Sequence, residues 1–166
     1  MKGFLFGIVF TLLGIAATGI LLLRGGYINF SADQSPSALE SKVAMAAVDN
    51  STDRHAPELS APLQHSEEEI VEGAKIYLNH CAGCHGLPSA PETQFMRSFY
   101  PPVPAFFKDA PDMSDKENYY IVQHGIRWTG MPAWNKTLGD QEIRQVGVLP
   151  VAFDDLVNRV ADRFEP

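Results

Sequence analysis

Cys81-Ala82-Gly83-Cys84-His85 places two thiols and an imidazole within five residues. In C-x-x-C-H each thiol can add to one vinyl group of a haem, and the histidine directly after the second presents a ring nitrogen to the iron. The pentapeptide therefore specifies two covalent anchors and one axial ligand for a single haem c. Two other uses of a C-x-x-C pair compete with this one. Structural zinc needs four ligands, and with Cys81 and Cys84 the only cysteines in the chain no second pair completes a site. A redox dithiol belongs near a βαβ pattern in a cytosolic setting, and neither the flanks nor the N-terminus has that character.

The elements that must hold the pentapeptide fall into three parts. The length of 166 residues predicts about one folded domain. From Phe4 to Leu23 the chain is almost wholly apolar, with Thr11 and Thr18 the only hydroxyls, and this is about the length needed to cross a bilayer core. A cleavable signal has a shorter apolar region followed by an A-x-A site; Leu21 to Tyr27 offers none, so residues 1–24 are expected to be an uncleaved anchor. Lys2 and Arg24 flank the span, so the positive-inside count leaves its orientation open. Gly3, Gly7, Thr11, Gly14 and Thr18 form a stripe of small side chains suited to a helical partner or a self-dimer. Residues 25–65 lose all periodicity and read as a flexible linker, its root-mean-square span about 35 Å. Within it the apolar run Val43 to Val48 is expected to make no more than one helical turn.

The folded domain, residues 66–166, opens on Ser66-Glu67-Glu68-Glu69, the form of a capping box. Ile70, Ala74, Tyr77 and Leu78 then make one apolar helical face leading into Cys81. Six prolines between Leu87 and Pro111 predict loops, with a short helix including Phe95 to Tyr100. Phe99, Tyr100, Phe106 and Phe107 can wall an apolar pocket or simply fill a core. Ser114-Asp115-Lys116-Glu117 is a second capping box, whose helix should stop at Gly125. A further helix is expected over Asp140 to Leu149, and after Pro150 the stretch Val151 to Phe164 again has helical spacing.

Gly73 to Gly86, GAKIYLNHCAGCHG, resembles the first helix and haem motif of a class I cytochrome c, and the likeness extends over roughly Glu67 to Leu149. The resemblance implies an all-α fold wrapped around one haem, with Gly73 packed against the last helix. It implies that a carbonyl within Pro101-Pro102-Val103-Pro104 accepts a hydrogen bond from the haem histidine's other nitrogen. Gly125 to Trp134 is similar to the family's methionine-ligand loop, G-x-x-x-x-G-M-P-A, which makes His85 and Met131 the metal ligands and Cys81, Cys84, His85 and Met131 the cofactor-binding residues. Pro150, which interrupts the last helix, departs from the pattern. Met96 and Met113 lack the glycine-proline frame, His80 adjoins the motif, and His124 is the competing ligand to Met131. Arg127, Trp128 and Trp134 suit haem propionates or surface and packing roles.

From Glu67 to the end, 15 Asp and Glu face 9 Lys and Arg, which excludes nucleic acid and favours redox partners with basic patches. Because c-type cytochromes receive their haem outside the bacterial cytoplasmic membrane, the resemblance implies a single-pass protein with its haem domain on the periplasmic side. The reading is an electron carrier between respiratory partners, not an enzyme and without a small-molecule substrate. A fixed subunit of a larger membrane complex is the alternative, such as a quinol-oxidising complex, a terminal oxidase or a dehydrogenase. A peroxidase ranks last because the Gly130-Met131-Pro132 frame argues for a closed sixth position.

Overall fold

The computed structural model describes residues 2–58, 66–87, 92–106, 108 and 113–147. The helical pattern expected at 151–164, Pro150, Phe107 and three of the loop prolines lie outside the described residues. The described elements are all helical: α1 (Lys2–Arg24), α2 (Ala38–His55), α3 (Glu67–His80), α4 (Ala82–His85), α5 (Asp115–His124) and α6 (Asp140–Gly147), with 3-10 turns at Met96–Ser98 and Trp134–Lys136. They divide into two compact units, Met1–Ser31 and Ala32–Pro166.

The first unit is α1, 23 residues without a buried side chain. At 1.5 Å per residue it is about 34 Å long, enough for a hydrocarbon core of about 30 Å. It is long and apolar enough to cross a membrane. Gly26 ends it with φ 69°, and the bonds from Tyr27 N–H to the Leu22 carbonyl (3.1 Å) and from Gly26 N–H to the Leu23 carbonyl (3.2 Å) close a Schellman turn.

In the second unit α3 and α6 make the most extensive contact. Ala74 and Tyr77 from α3 bury against Val146 from α6, with Ile70 and Leu78 partly buried beside them. Gly73 and Gly147 are both buried in these two helices. A second cluster joins Tyr119 of α5 to Leu138 and to Ile143 of α6, with Trp134 packed on it. The expected capping box at Ser114 is complete, its side chain and that of Glu117 each taking the other's backbone N–H. At Ser66 only the first half forms, the hydroxyl accepting from Glu69 N–H at 3.3 Å. The short helix foreseen near Phe95 is a single 3-10 turn, and α6 is described to Gly147.

The 25–65 stretch departs from its reading as a linker. Instead of one turn at Val43–Val48 it holds α2, 18 residues that pack against α5. Ser37 and Glu40 form a capping box at its start, a signal that hydropathy alone passes over. Tertiary contacts supply what an isolated polar helix lacks: Thr52 is buried, Tyr100 bonds Glu40, and just beyond the helix Lys116 pairs with Glu58 at 3.1 Å.

Candidate functional site

Helix α3 delivers the chain to Cys81, whose N–H still bonds the Tyr77 carbonyl at 2.8 Å. The pentapeptide then winds one more turn, with His85 N–H on the Cys81 carbonyl at 2.9 Å. Gly86 ends it at φ 77°, ψ −176°, a conformation open essentially to glycine alone. The Tyr77 hydroxyl donates to the Gly86 carbonyl at 2.8 Å in a buried bond, so the last turn of α3 clamps the exit of the motif. Burial raises the Tyr77 hydroxyl and so keeps it protonated as a donor.

Cys81 and Cys84 are half-buried free thiols on this turn. Burial, and secondarily the neighbouring Cys84, pushes the Cys81 thiol up to about 12, so it stays protonated near neutrality. His85 Nδ1 lies 3.0 Å from the Pro104 carbonyl. A carbonyl only accepts, so this bond requires the proton on Nδ1 and leaves Nε2 with its lone pair. Phe106 stacks on the imidazole, ring centres 4.4 Å apart and planes 11° from parallel. Burial lowers the His85 pKa, partly offset by the Pro104 bond, which favours the neutral imidazole that a metal needs. Of the four loop residues left open by the sequence, Pro104 is the one whose carbonyl meets the histidine.

Met131 sits in a loop that its own backbone closes. Ile126 N–H bonds the Met131 carbonyl at 3.2 Å, Met131 N–H bonds the Thr129 hydroxyl at 3.1 Å, and that hydroxyl donates to the Ile126 carbonyl at 2.8 Å. Gly125, at φ 66° and ψ −174°, is the hinge between α5 and this loop. A Cβ there would lie 2.6 Å from the Met131 carbonyl oxygen and 2.6 Å from the Pro132 carbonyl carbon. A Cβ on Gly130 would lie 2.5 Å from the Phe99 ring. One segment, 99–106, thus touches both halves: Phe99 covers the methionine loop, and Pro104 and Phe106 hold His85. The sequence groups Phe99 with the other aromatics that can wall a pocket, but no periodicity or motif points to its place over Gly130 or to the Tyr77–Gly86 clamp.

The competing candidates are otherwise engaged. Met96 is buried in the core, its sulfur accepting from Thr93 N–H at 3.5 Å. His80 is exposed and edges onto Trp134 at 5.4 Å, and exposed His124 lies 4.5 Å from the Tyr120 ring. Trp134 belongs to the second core cluster. Trp128 is 90% exposed and its backbone is left-handed at φ 62°, which costs an L-residue about 1–2 kcal/mol.

Two free thiols on one helical turn and an imidazole with one nitrogen occupied by a carbonyl, with a thioether carried on a separate braced loop, are donors of the kinds that fit a covalently held haem. Fold and site together define a class I, monohaem c-type cytochrome domain. Residues 68–148 match the family described as cytochrome C oxidase, cbb3-type, subunit III. No curated protein and no solved structure gives a match to the chain. Haem c, and electron transfer rather than catalysis of a substrate reaction, are what such a domain implies.

Proposed function

We propose that this chain is a membrane-tethered, monohaem electron carrier that passes single electrons between respiratory redox proteins on the periplasmic side of a bacterial cytoplasmic membrane. The observation that carries this reading is the His85–Pro104 bond, which dedicates one imidazole nitrogen to the protein and leaves the other for iron. Haem c, when bound, supplies a one-electron iron couple. Cys81 and Cys84 anchor it, His85 is oriented by Pro104 and Phe106, and Met131 is presented from a loop that Gly125 and Thr129 brace. A neutral thioether favours the reduced metal, so the His85–Met131 pair sets a higher potential than two histidines would. Helix α1 keeps the domain at the membrane.

A second reading, a fixed electron-transfer subunit of a larger membrane complex, is favoured by two observations. The matching family is described as an oxidase subunit. With α2 folded onto the domain, only residues 25–37 separate it from α1. As a flexible chain they span about 20 Å, against about 35 Å for the whole 25–65 stretch, which shortens any shuttling. In this reading the Gly3, Gly7, Thr11, Gly14 and Thr18 stripe meets a neighbouring helix of the complex. Purification in mild detergent separates the two: a carrier elutes alone with its haem, a subunit with stoichiometric partners.

A further inference from the structure

The geometry points to Trp128 as the anchor by which an acid-rimmed redox protein docks against the Met131 loop, an inference that rests on the electron-carrier reading. Trp128 is the one non-glycine residue of positive φ among the described residues, and 90% of its surface faces solvent. The turn it occupies is closed by Thr129 N–H on the Ile126 carbonyl at 3.3 Å, a closure that glycine or asparagine would make with less strain. The fold thus carries a strained bulky residue whose side chain buries nothing within it. Such a residue is selected by something outside the described chain.

The surroundings of Trp128 state the chemistry of that partner. Two residues on from Trp128, Gly130 lies against the Phe99 ring, and Phe95, 58% exposed, meets Phe99 edge-on at 5.0 Å, so the same loop also borders an apolar surface. The chain carries a net charge of −7, yet residues 118–139 contain no Asp or Glu and two cations, Arg127 and Lys136. Both are exposed and have no ion-pair partner among the described residues. Beside Phe95, Arg97 is also exposed, although it pairs with Glu92 at 3.6 Å. An exposed tryptophan beside an arginine that is unpaired among the described residues is the composition of an interface hot spot, and the charge of Arg127 calls for a carboxylate opposite. The proposed partner surface differs from the basic patches expected from the charge of the whole domain, because it answers the local charge of this loop. A protein fits better than a lipid surface because the loop carries Met131. Docking there brings a partner's cofactor close to the site, whereas a bilayer would cover it.

The test uses the full-length cytochrome in its native membranes. Trp128→Ala should keep the sulfur-to-iron absorption band of the oxidised form and the oxidation rate by ferricyanide in detergent. It should lower the second-order rate of electron exchange with the native partner at least about tenfold while sparing the maximal rate, and Trp128→Phe should recover much of it. Arg127→Gln should flatten the fall of that rate with salt. An unchanged native rate overturns the inference, as does an equal loss with ferricyanide, which would place Trp128 at the haem site. A deficit that vanishes when the membranes are solubilised would assign the residue to lipid, and loss of a dimer on sizing would assign it to a second copy; each overturns the inference. Absence of the band in the unaltered protein would instead remove Met131 from the ligand assignment, a failure distinct from that of Trp128. Failure of the detergent-purified protein to exchange electrons with ferricyanide at all would remove the carrier reading.

Discussion

Replacing Gly125 by alanine tests whether the methionine loop is held by a hinge that only glycine can form. At φ 66° and ψ −174° an L-residue pays about 1–3 kcal/mol in backbone strain. The added Cβ would also lie 2.6 Å from the Met131 carbonyl oxygen, 2.6 Å from the Pro132 carbonyl carbon and 2.8 Å from Ala133 N. All three are backbone atoms, so the loop itself must move by several tenths of an ångström, at an overpacking cost of about 1–3 kcal/mol. The expected loss is therefore about 4 kcal/mol in urea unfolding of the oxidised protein followed at the main haem band. The sulfur-to-iron band should weaken as Met131 shifts. Two neighbours calibrate the result. At Gly130 the new Cβ meets the Phe99 side chain, which can rotate, so Gly130→Ala should cost about 1 kcal/mol. At Gly83 nothing lies within 4 Å, and alanine in that helical turn should be neutral or stabilising by up to about 1 kcal/mol. A Gly125→Ala protein within about 0.5 kcal/mol of the parent, its band intact, would refute the hinge, as would a larger loss at Gly130.

Further outcomes follow from the same geometry. Met131→Ala should leave the haem covalently attached but remove the sulfur-to-iron band and lower the midpoint potential in a redox titration, whereas Cys81→Ala with Cys84→Ala should abolish haem that survives denaturing electrophoresis. Tyr77→Phe deletes the buried donor to the Gly86 carbonyl and should cost about 1–2 kcal/mol in urea unfolding. The Tyr119 hydroxyl and then Arg144 hold the Asp140 carboxyl below its usual range. A depressed carboxyl contributes its stability above the unfolded value near pH 4 and loses it as pH falls through the folded value. Asp140→Asn should therefore flatten the decline of urea midpoints below about pH 4, by no more than about 0.5 kcal/mol because the aspartate is largely exposed; an unchanged slope would count against the cluster.

Local rules carried much of this protein. The C-x-x-C-H spacing of Cys81, Cys84 and His85 is legible because it lies within five adjacent residues, and the structure keeps all three on one turn. The apolar run that forms α1 is legible because it is unbroken over about 20 residues, the length a bilayer span would need. Ile70, Ala74, Tyr77 and Leu78 gave the buried face of α3, and Ser114 with Glu117 gave the start of α5, since period and capping lie within one or two turns. Tertiary structure decided what depends on residues far apart. Which of four loop carbonyls meets His85 is a matter of where residues 101–104 pass over a turn that ended at Gly86. The cover of Phe99 on Gly130 depends likewise on two loops meeting. Helix α2 escaped the hydropathy reading because its own sequence is polar and its support comes from Tyr100 and Lys116, some sixty residues away. Net charge is a sum over the chain; the acid-free stretch 118–139 stands in the sequence, but only the fold exposes its Arg127 and Trp128 on the methionine loop.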